Sequence, residues 1–283
     1  MFEDKVEEIL HAKRACGNNA EADNAPFDVE RHAACNWSRP GAEQTLDLAF
    51  ESILANEQKP NAEQNDFLKH FVWRLKIEIL EERQRTTATS TQEPLLDITH
   101  GFPGTGKNRV IAWMRELMEK GLGWVHGTQF VCLAFQNAMA AQINGFIIHH
   151  WTGIPARAVE GNTTGNRHAQ SIKCQALRVI ILDELSMDSA ELLGSLEYVV
   201  RTAVRVRGTN KKRQDGTTRA FGGVNVVMCV DRWQLQPVGG TWLCCNPTQI
   251  PAGRAQDALL LLWGSGPDTV RHYWSLKELV RCK

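Results

Sequence analysis

A chain of 283 residues is long enough for one large domain or two modest ones with a substantial core. Its 32 Lys and Arg residues equal its 32 Asp and Glu residues in number, so the formal net charge is zero. The balance is uneven: residues 1–66 carry 6 basic against 14 acidic side chains, and the remainder carries 26 against 18. The basic remainder is compatible with a polyanionic partner and equally with an ordinary solvated surface.

The cysteine pattern and the hydropathy of the sequence indicate the cellular compartment of the chain. None of the eight cysteines forms a C-x-x-C pair, and Cys132 and Cys229 lie in apolar runs, where a thiol behaves as a small hydrophobe. The His and Cys residues within residues 11–35 match no zinc-ligand spacing. No segment is long and apolar enough to span a membrane, and the acidic N-terminus lacks a signal-peptide core. We therefore expect a reducing, intracellular compartment and no membrane partner.

The first part of the chain changes from polar to helical. Residues 1–58 are rich in Ala, Asn and Glu and are interrupted by Pro26 and Pro40, so we expect loose helical pieces or disorder there. Residues 62–83 place apolar side chains three to four positions apart, which predicts a helix. A polar, Ser- and Thr-rich loop is predicted at 86–92.

The rest of the chain alternates between strand and helix patterns. Strands are predicted at 95–99, 129–134, 178–182 and 224–230, and helices at 107–119, 136–144 and 187–206. Strongly apolar strands that alternate with helices are typical of a parallel sheet covered on both faces. The sequence therefore predicts an α/β fold.

A glycine-rich turn, residues 100–108, joins the first of these strands to the helix after it. It fits the phosphate-binding pattern G-x-x-x-x-G-K-[ST] at every fixed position except the last, where this chain has Asn108. Backbone N–H groups, the positive end of the helix dipole and the charge of Lys107 can together hold phosphate oxygens. The predicted phosphate cradle consists of Gly101, Phe102, Pro103, Gly104, Thr105 and Gly106. The turn predicts a nucleoside triphosphate site.

Two carboxylates follow the predicted strand at 178–182. In an open α/β sheet, ligands bind at the carboxyl ends of the strands, where Asp183 and Glu184 are expected. An Asp there can hold Mg²⁺, and a neighbouring Glu can orient and deprotonate an attacking water. On its own such a pair is more often a solvated strand end, but about 75 residues after a phosphate loop it favours a nucleotide site.

A third signal lies in residues 221–238, where a buried strand is predicted to end in Asp231 and to be followed by Gln234. A Gln beside the γ-phosphate could sense hydrolysis through hydrogen bonds. The alternative is a plain strand followed by a turn.

Taken together, these segments resemble superfamily 1 DNA helicases of the Pif (petite integration frequency) group, including the helicase parts of Helitron transposons. The family pattern is a phosphate loop, then D-E-x-S-M, then F-G-G followed by G-D-F-x-Q-L-P-P-V. This chain carries the second part at 183–187 and the third at 221–238. An ATPase of another class would share the first two parts and not the third.

The resemblance implies a RecA-like, three-layer P-loop NTPase domain over residues 59–283, preceded by the polar segment 1–58. Lys107 would hold the β- and γ-phosphates, Asp183 and Asn108 the Mg²⁺, and Gln234 the γ-phosphate. Residues 61–64 resemble an upstream L-N-x-x-Q element, whose Gln, here Gln64, would read the adenine edge.

Residues 139–154 resemble a family element that lies against single-stranded DNA. Aromatic and imidazole rings stack on bases regardless of sequence, and His149, His150 and Trp151 could do so here. The competing interpretation is that Trp151 and Ile154 belong to the core, which we prefer for Ile154. A basic stretch from Arg201 to Arg219 could follow a phosphate backbone, although such runs are more often solvated helix ends.

The resemblance stops at the tail, residues 274–283, which looks like the family's L-x-x-x-x-R-Q element. Arg281 would then be the arginine aimed at the γ-phosphate. The family's second motor domain is expected next, and we expect this chain to lack it.

Several family positions are substituted. The amide of Asn108 suits Mg²⁺ less well than a hydroxyl does. Val230 replaces a glycine, which would cost stability if that position needed a positive φ. Ile147 replaces a threonine and Gln236 a proline. We interpret these changes as relaxed selection or a fragmentary gene product.

The first hypothesis is an ATP-dependent DNA helicase motor domain, of 5′–3′ type by resemblance, that uses ATP and Mg²⁺ and binds single-stranded DNA. The resemblance also implies roles in DNA repair, recombination and telomere maintenance, nuclear localisation with the mitochondrion as the alternative, and a monomer. The rival hypotheses are a catalytically inactive nucleotide- or DNA-binding remnant and another P-loop ATPase that does not act on DNA.

Overall fold

Strands and helices alternate through the chain in a computed structural model, which describes residues 38–83, 92–154, 170, 173–207, 212–231, 237 and 239–280. The helices are α1 (Ala42–Ala55), α2 (Ala62–Arg83), α3 (Lys107–Glu116), α4 (Asn137–Gln142), α5 (Ile148–Thr152), α6 (Ala190–Arg207) and α7 (Arg254–Trp263). The strands are β1 (Leu96–Gly101), β2 (Phe130–Ala134), β3 (Phe146–Ile147), β4 (Val179–Asp183), β5 (Asn225–Val230) and β6 (His272–Leu276). The four predicted strands are confirmed to within two residues at either end.

All six strands form one sheet in the order β3-β2-β4-β5-β1-β6, and every neighbouring pair is parallel. Alternate residues of a strand point to opposite faces, and the core divides accordingly. Val131 and Leu133 belong to a cluster shared with α6 and α7, whereas Cys132 belongs to a second cluster shared with α1, α2 and α3. Both faces are therefore covered, which confirms the predicted α/β class with a parallel sheet.

Helix α1 lies within the segment that the sequence predicted to be polar and partly disordered. Its inward side chains Ala42, Leu46 and Ile53 are buried in the second cluster. Leu46 packs so closely on the helical turn Leu117–Gly121 that a Cβ at Gly121 would lie only 2.9 Å from its Cδ1. Helix α1 thus shares a core with α2 and α3, and the domain boundary after residue 58 stays a prediction. Residues 1–37 lie outside the described residues.

A buried charge network joins α2 to the amino ends of β1 and β5. Nη2 of Arg74 donates to Glu78 at 2.5 Å and to Glu81 at 3.0 Å, and its Nε donates to Oδ1 of Asn225 at 2.8 Å. The same Asn225 oxygen accepts the backbone N–H of Leu95 at 2.8 Å. Burial alone would lower the pKa of Arg74, but the charges of Glu78 and Glu81 outweigh it and raise that pKa. The guanidinium thus stays charged and fixes the helix to the sheet.

The F-G-G motif, residues 221–223, serves the packing of α6 against β5 and is not part of a ligand site. It precedes β5, at the end of that strand opposite Asp231. Phe221 is fully buried and adopts a φ of 49°, and Gly222 has a φ of 64°. A Cβ at Gly222 would lie 3.2 Å from the Val204 side chain on α6. A glycine here allows α6 to approach the turn that enters β5.

Within the described parts of the chain, no helix combines the length and the apolar character needed to cross a bilayer.

Candidate nucleotide-binding site

The predicted site residues meet at the carboxyl edge of the sheet. Strands β4, β5 and β1 are consecutive neighbours and parallel, so their carboxyl ends lie side by side. Asp183 ends β4, Asp231 follows β5, and the glycine-rich turn follows β1. Lys107 follows β1 and Asp183 ends β4, so only β5 lies between their strands. Both residues can therefore contribute to one ligand site.

The phosphate loop has the backbone that its glycines allow. Gly104 has a φ of 91° and Gly106 a φ of 84°, values that other residues adopt only with strain. Thr105 braces the turn from inside, since its backbone N–H and its hydroxyl both donate to the carbonyl of Phe102, at 3.2 and 2.8 Å. No side chain caps the start of α3, so its first N–H groups are left for an anion.

Lys107 is folded back over this loop. Its Nζ donates to the carbonyl of Gly101 at 2.7 Å and lies 3.7 Å from Oδ2 of Asp231. The lysine is 6% exposed and the aspartate fully buried. The ammonium thus occupies the space between the loop and the end of β5, where a phosphate oxygen could take over its contacts.

The burial and hydrogen bonding of the Asp183 carboxyl group favour the binding of a cation. Burial, helped by the charge of the neighbouring Glu184, raises its pKa to about 7, and the charge of Lys107 opposes the rise. Within the described part of the chain its Oδ1 makes no hydrogen bond. A buried carboxylate in this state is stabilised by a bound cation, because the cation supplies the missing partner and charge.

Glu184 follows in a left-handed conformation, with φ 53° and ψ 40°. A non-glycine residue rarely adopts this conformation, and it costs of order 1–3 kcal/mol where it occurs. Glu184 comes directly after β4 and caps the start of the short 3₁₀ helix Leu185–Met187. Backbone strain at the end of β4 therefore coincides with the predicted acid–base residue.

Asp183 has a carboxylate oxygen that could bind Mg²⁺, whereas the amide of Asn108 is hydrogen-bonded to another side chain. Asn108 is exposed, and its amide Nδ2 donates to Oε1 of Gln142 on α4 at 3.1 Å. Mg²⁺ prefers oxygen ligands in tight octahedral geometry, and this hydrogen bond fixes the orientation of the Asn108 amide. Asp183 is thus the residue that would hold the ion, and a role for Asn108 in metal binding stays a prediction.

Gln64 lies against the phosphate loop, with both ends of its amide in use. Nε2 donates to the carbonyl of Thr105 at 3.0 Å, and Oε1 accepts the backbone N–H of Asn61 at 3.0 Å. Asn61 returns the bond by accepting the N–H of Gln64 at 2.9 Å, which closes a reciprocal cap on α2. Gln64 is 2% exposed, so its observed role is to support the loop, and adenine recognition by Gln64 stays a prediction.

The chain after β6 returns to the same loop. The backbone N–H of Val280 donates to the carbonyl of Gly104 at 2.9 Å, and that of Lys277 donates to Oε2 of Glu63 at 2.6 Å. Arg281 and Gln234, the two predicted γ-phosphate residues, lie outside the described residues. Their roles stay predictions.

The three predicted DNA-stacking residues differ in accessibility. Trp151 is 3% exposed and packs in the cluster shared with α6, so its ring offers no face to a base and the stacking prediction for it is corrected. Nδ1 of half-buried His149 lies 3.0 Å from the carbonyl of Ile154. His150 is exposed, and its role in stacking stays a prediction.

The basic stretch is largely paired with acidic side chains. Arg213 contacts Asp268 at 2.6 Å and Glu93 at 3.1 Å, and Arg219 contacts Glu93 at 3.2 Å. Glu93 precedes β1, so these pairs lie at the amino edge of the sheet, opposite the phosphate loop. For the described side chains, a DNA-binding role of this stretch is not supported.

Two further residues belong to the site: Asp231, which faces Lys107, and Glu63, which holds the returning tail. Asp231 carried a usable signal, because it follows an apolar strand that the sequence predicts to be parallel to β1. Val230 before it causes no strain, since it closes β5 and is not among the described non-glycine residues with positive φ. Glu63 gave no signal, because its partner is a backbone group more than 200 residues away.

Comparison with known proteins adds the family. The sequence model of the PIF1-like helicases matches residues 79–242, which include the phosphate loop, the Asp183–Glu184 pair and the F-G-G segment. The chain belongs to the PIF1-like helicase family.

Individual relatives agree with this membership. The ATP-dependent DNA helicase RRM3 of Saccharomyces cerevisiae is 24% identical over 230 residues, which are 78% of this chain and 29% of that protein. The human ATP-dependent DNA helicase PIF1 is 30% identical over 151 residues, 49% of this chain and 19% of that protein. A solved structure, the Pif1 helicase from Candida albicans, has a TM-score of 0.45 at 20% identity, over 78% of this chain and 40% of that one. The chain thus spans less than a third of the length of these curated relatives.

Proposed function

We propose that this PIF1-like domain binds ATP together with Mg²⁺ at the carboxyl edge of its sheet and hydrolyses it in response to single-stranded DNA. The observation that carries the proposal is the convergence of a glycine loop, the buried Lys107 ammonium and the protonation-prone Asp183 on one edge. The relatives are named ATP-dependent DNA helicases, which supports both the nucleotide and the DNA.

Each residue of the site has a separate task in this proposal. The loop amides and Lys107 hold the phosphates, and Lys107 exchanges Gly101 and Asp231 for phosphate oxygens. Asp183, after releasing its proton to solvent, would hold the ion. Mg²⁺ bound there would neutralise charge on the phosphates. Glu184 accepts a proton from the water whose oxygen attacks the γ-phosphorus, while the bond from that phosphorus to the β,γ-bridging oxygen breaks.

The DNA-facing part of the proposal rests on family membership and on the exposed His150. Translocation and strand separation belong to relatives of which this chain matches 29% or less. We propose that this chain contributes the ATP-binding motor half of that activity. Direction of movement, the monomeric state and nuclear localisation stay predictions from the resemblance.

A second candidate function is nucleotide binding without turnover. It is favoured by Asn108, whose side chain replaces the expected hydroxyl and is bonded to Gln142. In this case the site keeps its affinity for ATP while positioning the ion poorly.

Steady-state ATP hydrolysis, measured with and without single-stranded DNA, separates the candidates. DNA-stimulated turnover that is lost in Glu184→Gln supports the motor domain. Nucleotide binding without turnover in the wild-type chain, together with turnover restored by Asn108→Thr, supports the second candidate. Turnover that is indifferent to DNA contradicts the DNA-coupled proposal.

A further inference from the structure

A cluster of two histidines and one aspartate lies near the amino ends of β1 and β6 and takes no part in the proposed function. His70 comes from α2, Asp97 from β1 and His272 from β6. Nε2 of His70 is 3.2 Å from Oδ2 of Asp97, and Nδ1 of His272 is 3.2 Å from Oδ1 of the same carboxylate. One ligand atom from each residue lies within 4.8 Å of the other two.

The aspartate is unusual for its position. Asp97 lies on β1, which is the strand between β5 and the edge strand β6, and its side chain is 1% exposed. An ionised carboxylate is costly to bury unless a positive group or several donors compensate it. Nε1 of Trp274 donates to Oδ2 at 3.1 Å, which helps to orient the carboxylate.

The hydrogen bonding of Nε2 of His70 gives a further, independent reason to expect a ligand. Its Nε2 is buried and, within the part of the chain that the structure describes, forms no hydrogen bond of acceptable geometry, although the carboxylate is only 3.2 Å away. A buried ring nitrogen without a hydrogen bond is a cost that a bound ion removes. His272 is half-exposed and leaves a path from solvent to the cluster.

The spacing of the ligand atoms suits a small tetrahedral ion. Around Zn²⁺, bonds of about 2.0–2.1 Å place neighbouring ligand atoms about 3.3 Å apart. Each histidine nitrogen lies 3.2 Å from an oxygen of Asp97, His70 from Oδ2 and His272 from Oδ1, and the three ligand atoms lie within 4.8 Å of one another, so the two imidazoles would have to move closer together around an ion. Imidazole nitrogen with one carboxylate is a donor set for Zn²⁺, Co²⁺, Ni²⁺ or Cu²⁺, whereas Mg²⁺ prefers oxygen alone.

We propose that His70, Asp97 and His272 form a binding site for a divalent transition-metal ion, with Zn²⁺ as its ligand, separate from the nucleotide's Mg²⁺. The ion has three protein ligands and an outer position open to water. Trp274 holds the carboxylate, as hydrogen-bonding partners of metal ligands commonly do.

The ion would join the two elements that support the phosphate loop. Helix α2 begins at the cap that contains Gln64, which bonds to Thr105 of the loop. Strand β6 leads to the tail in which Val280 bonds to Gly104. Fixing His70 to His272 therefore fixes the helix and the tail relative to each other. The site does not depend on nucleotide hydrolysis, and its test is independent of the proposed function.

The first experiment measures zinc bound by the full chain after treatment with chelator and reloading. The variants are His272→Ala, on the exposed strand edge, and Asp97→Asn, with Asp66→Asn as the matched control on an exposed carboxylate of α2. We expect the wild type and Asp66→Asn to bind one more equivalent of zinc than His272→Ala. Loss of one ligand should weaken the affinity of the cluster for zinc at least about tenfold. Far-UV circular dichroism checks that each variant is folded.

The second experiment distinguishes this cluster from the cysteines of the chain. Co²⁺ held by nitrogen and oxygen gives visible ligand-field absorption without a thiolate charge-transfer band. We expect that absorption in the wild type and in Asp66→Asn and its loss in His272→Ala. Equal zinc uptake in the wild type and His272→Ala, or a thiolate charge-transfer band as the sole cobalt signal of the wild type, would overturn the proposal.

Discussion

Nζ of Lys107 lies 3.7 Å from Oδ2 of Asp231, with both side chains almost entirely buried. The lysine begins α3 and the aspartate follows β5, so this pair links the phosphate loop to the neighbouring strand. In the absence of a ligand, Asp231 is the counter-charge that allows an ammonium to remain inside the site. A phosphate that enters the loop must compete with it.

This competition predicts a measurable coupling between the two residues. Lys107→Met should cost less stability when Asp231 is already Asn, because the single change leaves a buried carboxylate without its counter-charge. We expect a coupling free energy of about 1–3 kcal/mol from a double-mutant cycle of urea unfolding. Strictly additive effects of the two substitutions would contradict a direct interaction.

Asp183 predicts a pH dependence of stability. Its pKa is raised in the folded chain to about 7 from an ordinary value of 3.8, so the folded state holds a proton that the unfolded state has released. The stability contributed by this protonation is complete below about pH 4 and is lost as pH rises to about 7, by up to about 1.4 kcal/mol per pH unit.

The check is the free energy of unfolding of the wild type and Asp183→Asn between pH 4 and pH 8. The difference between the two should change in favour of the variant as pH rises and should level off above pH 7. A difference that stays constant over this range would show that Asp183 titrates normally. Adding Mg²⁺ should extend the ionised form to lower pH if the ion binds there.

The Arg74 network predicts a large loss of stability for one substitution. Arg74→Met leaves Glu78 and Glu81 buried without their cation and should cost about 3–5 kcal/mol. Arg83→Met is the matched control, since Arg83 on the same helix pairs with Glu43 at an exposed site and should change stability little. Comparable losses in both variants, measured by chemical denaturation, would contradict the role of burial.

The two neighbours on α5 should respond in opposite ways. Trp151→Ala removes a core side chain and should cost about 3–5 kcal/mol of stability. His150→Ala should leave stability unchanged and weaken single-stranded DNA binding, by about 1–3 kcal/mol if the ring stacks on a base. Fluorescence anisotropy with a labelled oligonucleotide measures the second effect. Unchanged DNA affinity in His150→Ala would remove the last predicted stacking residue that is exposed.

Much of the fold was readable from sequence because buried parallel strands are continuous apolar runs. The runs that became β2, β4 and β5 need no partner to be recognised, and the phosphate loop is defined by glycines whose positive φ is a local property. The position of the nucleotide site could also be predicted, because parallel strands bring their carboxyl ends together at one edge of the sheet.

The missed features depend on distant contacts. Helix α1 follows a long polar stretch and buries only Ala42, Leu46 and Ile53, and Leu46 finds its packing partner in the distant turn Leu117–Gly121. Strand β6 is an edge strand with exposed residues, so its pattern is weak. Trp151 looked like a stacking residue because sequence does not say which side of a short helix faces the core. The His70–Asp97–His272 cluster combines three segments spread over some 200 residues.

The central claim is that the loop and Lys107 form a nucleotide site, and binding of a fluorescent ATP analogue tests it most directly. The affinity of the wild-type chain should fall at least about tenfold in Lys107→Ala, because charge-assisted bonds to phosphate are worth about 1.5–3 kcal/mol. Lys120→Ala, on an exposed lysine that pairs only with Glu116 in the described structure, should bind like the wild type. Equal affinity of the wild type and a folded Lys107→Ala would contradict the account.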